Sequence, residues 1–356
     1  MLEALIDSLG DGGTLMLSGA VVGVIFGAAA QRSRFCLRAA TVEVASGRPG
    51  PSLAIWLIAF FSAVLSVQAA IVAGWLDVDE ARQLAATGSL SGAVIGGLMF
   101  GAGMILARGC ASRLLVLAST GNLRALVSGL VLTLVAQAAL SGVLARPREA
   151  LSALWTVPGG TGRDLLAMLG AGHGGAALFA AAALMLAVGY AAFCRVEPGR
   201  AVAGAIVGVA VGLGWGMTYW ISQASFEIVP VASITFTGPS TDTLMGLVTA
   251  PRMPASFGVG LVPGVMLGSF AMAVFRREFR IERFGPDTPM ERYLLGACLM
   301  GFGAMLAGGC AVGAGMSGGS VFSLTAWVAA FAMWAGAMVT HRLLMGSGSQ
   351  AVVRTP

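Results

Sequence analysis

The sequence contains no lysine; all 21 of its basic residues are arginine. Charge of either sign is scarce, at 10% of 356 residues, while 57% are hydrophobic. A soluble domain carries about 25% charged and about 45–50% apolar residues. The mean hydropathy of +0.87 points the same way. Too few charges remain to cover a water-facing surface, which excludes a soluble globular domain and leaves the bilayer as solvent. The pI near 9.3 comes from arginines scattered between apolar runs, not gathered in a stripe, so no nucleic-acid partner is expected. Histidine occurs only at His173 and His341, and the five cysteines (Cys36, Cys110, Cys194, Cys298 and Cys310) form no Cys-x-x-Cys pair. A zinc site and a disulfide framework are therefore excluded, and no metal or cofactor is expected. The first residues carry Glu3, Asp7 and Asp11 but no basic residue, so no cleavable signal peptide is expected.

What the chain has in abundance is long apolar runs. A spanning helix needs about 20 mainly apolar residues, and nine segments qualify, near 14–31, 53–74, 91–107, 123–144, 175–193, 201–220, 255–275, 292–308 and 322–345. The expected fold is an all-α polytopic membrane protein, a single membrane-embedded transport domain over residues 1–356. Nine spans put the connecting loops alternately on two sides. One side collects Arg32, Arg34, Arg38, Arg48, Arg108, Arg113, Arg124, Arg195, Arg200, Arg276, Arg277, Arg280, Arg283, Arg292, Arg342 and Arg354. The other holds Arg82, Arg146, Arg148, Arg163 and Arg252 with the acidic N-terminus. Positive charge stays on the cytoplasmic side of inner-membrane proteins, so the reading is N-terminus outside and C-terminus cytoplasmic.

An internal repeat runs through these spans. Gly23 and Gly27 precede Cys36, Gly97 and Gly101 precede Cys110, and Ala297 and Gly301 precede Cys310, the last small residue always nine positions ahead. A weaker fourth copy runs Gly204, Gly208, Gly212, Gly216 to Ser225. Small residues four apart are the ordinary means of close helix packing in membranes, and a lone membrane cysteine is usually a small hydrophobe. That reading suits Cys194 and Cys298, which stand outside the repeat. It does not account for three cysteines at one offset, each just past the end of a span. Leu37–Ser46 and Ala111–Thr120 are each long enough for about 15 Å of helix, half a hydrocarbon core. They read as half-helices with the cysteine at the N-terminus, the arrangement in which discontinuous helices hold anions. Arg34 and Arg108 stand two residues before their cysteines, either as ion-attracting residues at a pore mouth or as positive-inside anchors. Residues 1–145 and 200–356 read as two inverted halves, joined by the span near 175–193.

The strings RSRFCLRAA, GAGMILARGCASRLL and GFGAMLAGGCAVGAGMSGG, with the stretch from Phe257 to Phe284, resemble the cysteine motifs of the YeeE/YedE sulfur-transport family. The resemblance covers nearly the whole chain. It implies an hourglass-shaped pore that takes up thiosulfate, with Cys36, Cys110 and Cys310 relaying the anion; the charge reading and the repeat add Arg34, Arg108 and Ser225 as candidates beside the path. It also implies a TusA-like cytoplasmic sulfurtransferase as consumer. The family often has glycine where this chain has Arg113.

Other chemistries were open. A membrane sulfurtransferase would carry a persulfide on one cysteine, but no His, Asp or Glu stands in the motifs to serve as its base, so no enzyme is expected. Arg34 and Arg108 oppose a path for soft metal cations. Another sulfur or selenium anion fits the motifs as well as thiosulfate does. The orientation is directly testable. Fusing a fluorescent protein or alkaline phosphatase to the C-terminus should give fluorescence and no phosphatase activity; phosphatase activity there would reverse the assignment.

Overall fold

Backbone amides in lipid have no water to pair with, so each apolar run closes its own hydrogen bonds by coiling into a helix. The computed structural model describes residues 2–225, 227–249, 253–284 and 290–352, without the side chains of 2–5 and 346–352. In chain order the helices are α1 (Leu2–Ser33), α2 (Leu37–Ala45), α3 (Pro51–Val72), α4 (Arg82–Ala85), α5 (Leu90–Leu106), α6 (Ala111–Ser119) and α7 (Leu123–Ser141). Then follow α8 (Ala145–Ala153), α9 (Leu165–Leu169), α10 (His173–Phe193), α11 (Pro198–Ala224), α12 (Thr237–Thr249), α13 (Phe257–Phe275), α14 (Met290–Leu306) and α15 (Leu324–Val352). A π-type turn, Gly313–Gly318, precedes α15. The strands are a two-residue pair, β1 (Gly88–Ser89) and β2 (Thr156–Val157).

All nine expected spans are helical. Among the described residues, eight helical segments are long and apolar enough to cross a membrane. Two of these, Ile6–Ala45 and Leu90–Ser119, run through a break into the following short helix. The expected span at 292–308 is α14, which has 17 residues and carries Glu291 and Arg292 in its first turn. At 1.5 Å per residue it reaches about 26 Å, short of a hydrocarbon core of about 30 Å. It tolerates this because it packs between α5 and α7 and buries most of its length, from Tyr293 to Leu306.

The glycine rows set how the helices meet. Gly19, Gly23 and Gly27 of α1 face the backbone of α13, and Gly260, Gly264 and Gly268 of α13 face that of α1. A methyl group on Gly23 would stand 2.5 Å from the Leu261 carbonyl oxygen. The same reciprocity joins α5 to α14: a methyl on Gly96 would stand 2.5 Å from the Gly303 oxygen, and one on Gly303 2.7 Å from the Gly96 oxygen. The packing reading of these rows is therefore correct. Pairing between the halves is reciprocal too: α1 lies on α13 and α11 on α3, while α5 lies on α15 and α14 on α7. The linking helix α10 packs on α3.

Hydrogen bonds and ion pairs tie the arginine-rich loops into one end of the molecule. Arg32 pairs with Glu197, Arg276 with Glu278 at 3.2 Å, Arg200 donates to the Ser33 carbonyl, and the Arg280 amide donates to the Thr120 carbonyl. The opposite end is closed by the 145–169 connection, where the Leu324 amide donates to the Arg163 carbonyl, and separately the Trp220 indole donates to the Trp75 carbonyl. Arg252 and Arg354 lie outside the described residues. Gly264→Ala should destabilise the fold by about 1–3 kcal/mol through backbone overpacking, whereas Gly216→Ala, with no atom within 4 Å of the added methyl, should leave it unchanged or slightly raised. Thermal unfolding of the purified variants in detergent measures both.

Candidate functional site

Each motif cysteine follows a helix that stops in the same way. At the ends of α1, α5 and α14 the residue two before the cysteine adopts a left-handed backbone: Arg34 at φ 56°, Arg108 at φ 57° and Gly308 at φ 79°. The next amide then closes a six-residue loop back into the helix, Phe35 to the Ala30 carbonyl at 3.2 Å, Gly109 to Met104 at 3.1 Å and Gly309 to Ala304 at 2.9 Å. This is the Schellman stop. The cysteine comes next, and its carbonyl accepts from the amide four residues on: Ala40 at 3.3 Å, Leu114 at 2.9 Å and Ala314 at 2.8 Å. Arg195 and Arg277 close α10 and α13 with the same left-handed residue, so that stop alone is not specific. A cysteine opening a new helical turn two residues later is.

Cys36 and Cys110 are the extended N-cap residues of α2 and α6, without a side-chain capping hydrogen bond. The two thiols lie near each other and near the first-turn amides of Ala39 and Arg113, and Cys110 Sγ lies 3.4 Å from Ser112 Oγ. Helix geometry gives the first-turn amides no acceptor within their own helix. Cys110 and Cys310 are each 1% exposed and share one contiguous core. The glycine-rich run after Cys310, unreadable as structure from composition, forms the π-type turn.

The flanking residues differ. Arg34 is 65% exposed and lies 3.9 Å from Glu278, which also accepts from Gln31 at 3.0 Å. Arg108 has no carboxylate partner among the described residues and sits 5.9 Å above the Tyr293 ring. Ser225 caps the end of α11, and its hydroxyl accepts from the Glu227 amide at 3.0 Å. No helix starts after it until α12. The hydroxyl beside Cys310 is instead Thr235, whose Oγ1 lies 3.9 Å from Cys310 Sγ. It belongs to an extended segment pinned by Ser317 Oγ, which donates to the Ile234 carbonyl at 2.6 Å. Cys194 caps the end of α10, and Cys298 lies half-buried within α14.

A cavity of about 380 Å³ opens at the end of the molecule away from the arginine-rich loops. Arg82, Arg148 and Arg163 line it, with no carboxylate, and so do Gly308, Gly313 and Ala314 on either side of Cys310. Arg163 is 7% exposed. Its Nη1 donates to the Arg82 and Ala86 carbonyls and its Nη2 to Thr325 Oγ1 at 2.6 Å. Burial and the Arg82 charge pull its guanidinium below the ordinary value, and arginine stays cationic regardless. A separate cavity of about 620 Å³ is acidic, lined by Asp77, Asp79, Glu80 and Glu227. Sequence reasoning missed Thr235 and the arginine cavity, because two short helices (α4 and α8) and the loop at Arg163 come together only in the fold to build the latter.

Strain at the stops is measurable. Gly308→Ala should lose about 1–2 kcal/mol by placing a side chain in the left-handed region, while Arg34→Gly should gain stability. Thermal unfolding reads both, and the reverse order would mean that the stops carry no strain.

Comparison with known proteins gives a family and two curated relatives. A family model described as sulphur transport matches residues 32–339. A protein of Escherichia coli named thiosulfate transporter TsuA is 26% identical over 346 residues, covering 88% of this chain and 90% of that protein. A protein of the same name from Spirochaeta thermophila is 26% identical over 330 residues, covering 88% of this chain and 94% of its own.

Proposed function

This chain belongs to the sulphur transport family, and we propose that its cargo is thiosulfate, passed inward along Cys310, Cys110 and Cys36. One observation carries the relay: the three motif cysteines, and neither of the other two, stand just past a helix stop at the start of a new helical turn. Stripping a dianion of water costs on the order of tens of kcal/mol in the Born limit, and a pore must offset most of that without holding the ion. In this reading the Arg82–Arg148–Arg163 cavity collects the anion from outside. First-turn amides and the positive helix ends take over part of its hydration. Thiols are weak donors, so each contact to the terminal sulfur breaks easily and the ion moves on. Thr235 stands with Cys310 at the outer position expected of Ser225. Arg108, which no carboxylate neutralises, favours arrival at the inner end more than Arg34 does.

The halves 1–145 and 200–356 act as inverted repeats in this scheme, and their reciprocal helix pairing supports it. The protein sits in the inner membrane with the arginine-rich end in the cytoplasm. A TusA-like sulfurtransferase there consumes the thiosulfate and sustains the inward flux. Changing Cys36, Cys110 or Cys310 to alanine should lower thiosulfate uptake into proteoliposomes at least about tenfold, with expression and monodispersity kept. Cys194→Ala and Cys298→Ala should stay near the wild-type rate. A relay needs only donors, so Cys110→Ser should retain some uptake. A +32 Da adduct on Cys110, the mass of one sulfur, forming and discharging at the uptake rate would replace the relay with persulfide chemistry.

A further inference from the structure

Sixteen arginines fall on one side of the chain's topology. Arg48, Arg195, Arg277 and Arg283 are exposed, as residues reaching for water and headgroups are. Arg38 on α2, Arg113 on α6, Arg124 on α7 and Arg292 on α14 are only partly exposed, and the exposed Arg108 lies beside them. Arg38 feels the charges of Arg108, Arg124 and Arg292, and Arg38 and Arg113 both act on Cys36. The ring of Tyr293, 3% exposed, carries two of the guanidinium groups, Arg124 at 4.9 Å and Arg108 at 5.9 Å from its centroid. Arg124 Nη1 also donates to the Ala107 carbonyl at 2.8 Å.

Counter-charge is missing from the group. Among the described residues the ion pairs engage Arg32, Arg34, Arg148 and Arg276, and none of these five. Glu282 acts on Arg124 and is already held by the Asn122 amide. Three buried nitrogens, Arg38 Nε, Arg113 Nη1 and Arg292 Nε, find no partner among the described residues. A buried donor left unpaired is costly, and more so when it is charged. Planar N–H forks from several directions are the chemistry that recognises tetrahedral oxyanions.

We propose that Arg38, Arg113 and Arg292, backed by Arg108 and Arg124, form a second anion site at the arginine-rich end, one that holds a divalent tetrahedral oxyanion of the sulfate and thiosulfate class beside the cysteines. Binding there is independent of transport. Its consequence for transport rests on the thiosulfate reading: the site receives the delivered ion, and sulfate accumulating on that side competes for it and slows uptake.

Two measurements on the purified full chain test this. Phenylglyoxal modification, followed by mass spectrometry, should show sulfate protecting Arg38, Arg113 and Arg292 while Arg195 and Arg277 react unchanged; this needs no variant. Equilibrium binding of radiolabelled sulfate should weaken about tenfold in Arg38→Gln and in Arg292→Gln, the loss of one charge-assisted hydrogen bond. Arg292→Lys should restore it only in part, and Cys194→Ala should leave it intact. Equal protection of all arginines, or unchanged binding in the glutamine variants, overturns the site. So does sulfate protection that vanishes when anionic phospholipid is added, which would assign the cluster to lipid phosphate. In proteoliposomes loaded with sulfate, thiosulfate uptake should slow for the wild type and not for Arg292→Gln. Absence of any wild-type thiosulfate uptake would remove the thiosulfate reading while leaving the bound sulfate standing.

Discussion

Backbone-to-backbone contact between helices is the constraint on which the rest of the molecule depends. Lipid offers no hydrophobic drive for one apolar helix to leave it for another, so association relies on close packing. Here α1 and α13 press glycine against carbonyl along three turns, and α5 does the same with α14. Such contact admits no side chain and little sliding. It therefore fixes where along the molecule each helix may stop, and the stops are where the cysteines are. The glycine row and the cysteine offset in the sequence are one feature seen twice: the row locks the helix, and the nine-residue offset sets how far past the lock the chain turns.

At the stops the chain solves a problem particular to membranes. A helix that ends inside lipid exposes carbonyls, and one that begins there exposes amides. The Schellman loops at Arg34, Arg108 and Gly308 recover the carbonyls with backbone bonds. Each new turn then starts within two residues, leaving its first amides without an acceptor in their own helix. Those amides are tolerable only where something else completes them. A pathway for a hydrated or partly dehydrated anion is a setting where unfinished donors are useful.

Much of this was legible in the sequence because the signals are local. Hydropathy gave nine helices, and the offset of Cys36 and Cys110 from their glycines placed both half-helices within a residue of α2 and α6. The shortness of α14 was not legible, since hydropathy continues smoothly past Leu306 into Ala307-Gly308 and the stop depends on a backbone angle. Ser225 was chosen by counting, yet residues 227–236 form no helix before α12 and deliver Thr235 to Cys310. The arginine cavity was invisible because Arg82 of α4, Arg148 of α8 and Arg163 of the loop before α9 meet only in the folded chain. Counting charges likewise could not separate exposed Arg195 from inward-turned Arg38; one count served for two environments.

The choice of arginine alone has a consequence for how the protein responds to acidity. A lysine in the place of Arg38 or Arg163 could shed its proton on burial and vary with conditions; a guanidinium does not. The cationic landscape is thus clamped across the physiological range, at the outer cavity and at the inner cluster alike. Of the two histidines in the chain, His173 is bonded to Gln68 and His341 to Ser46. An anion that meets either arginine group therefore meets the same positive charge across that range.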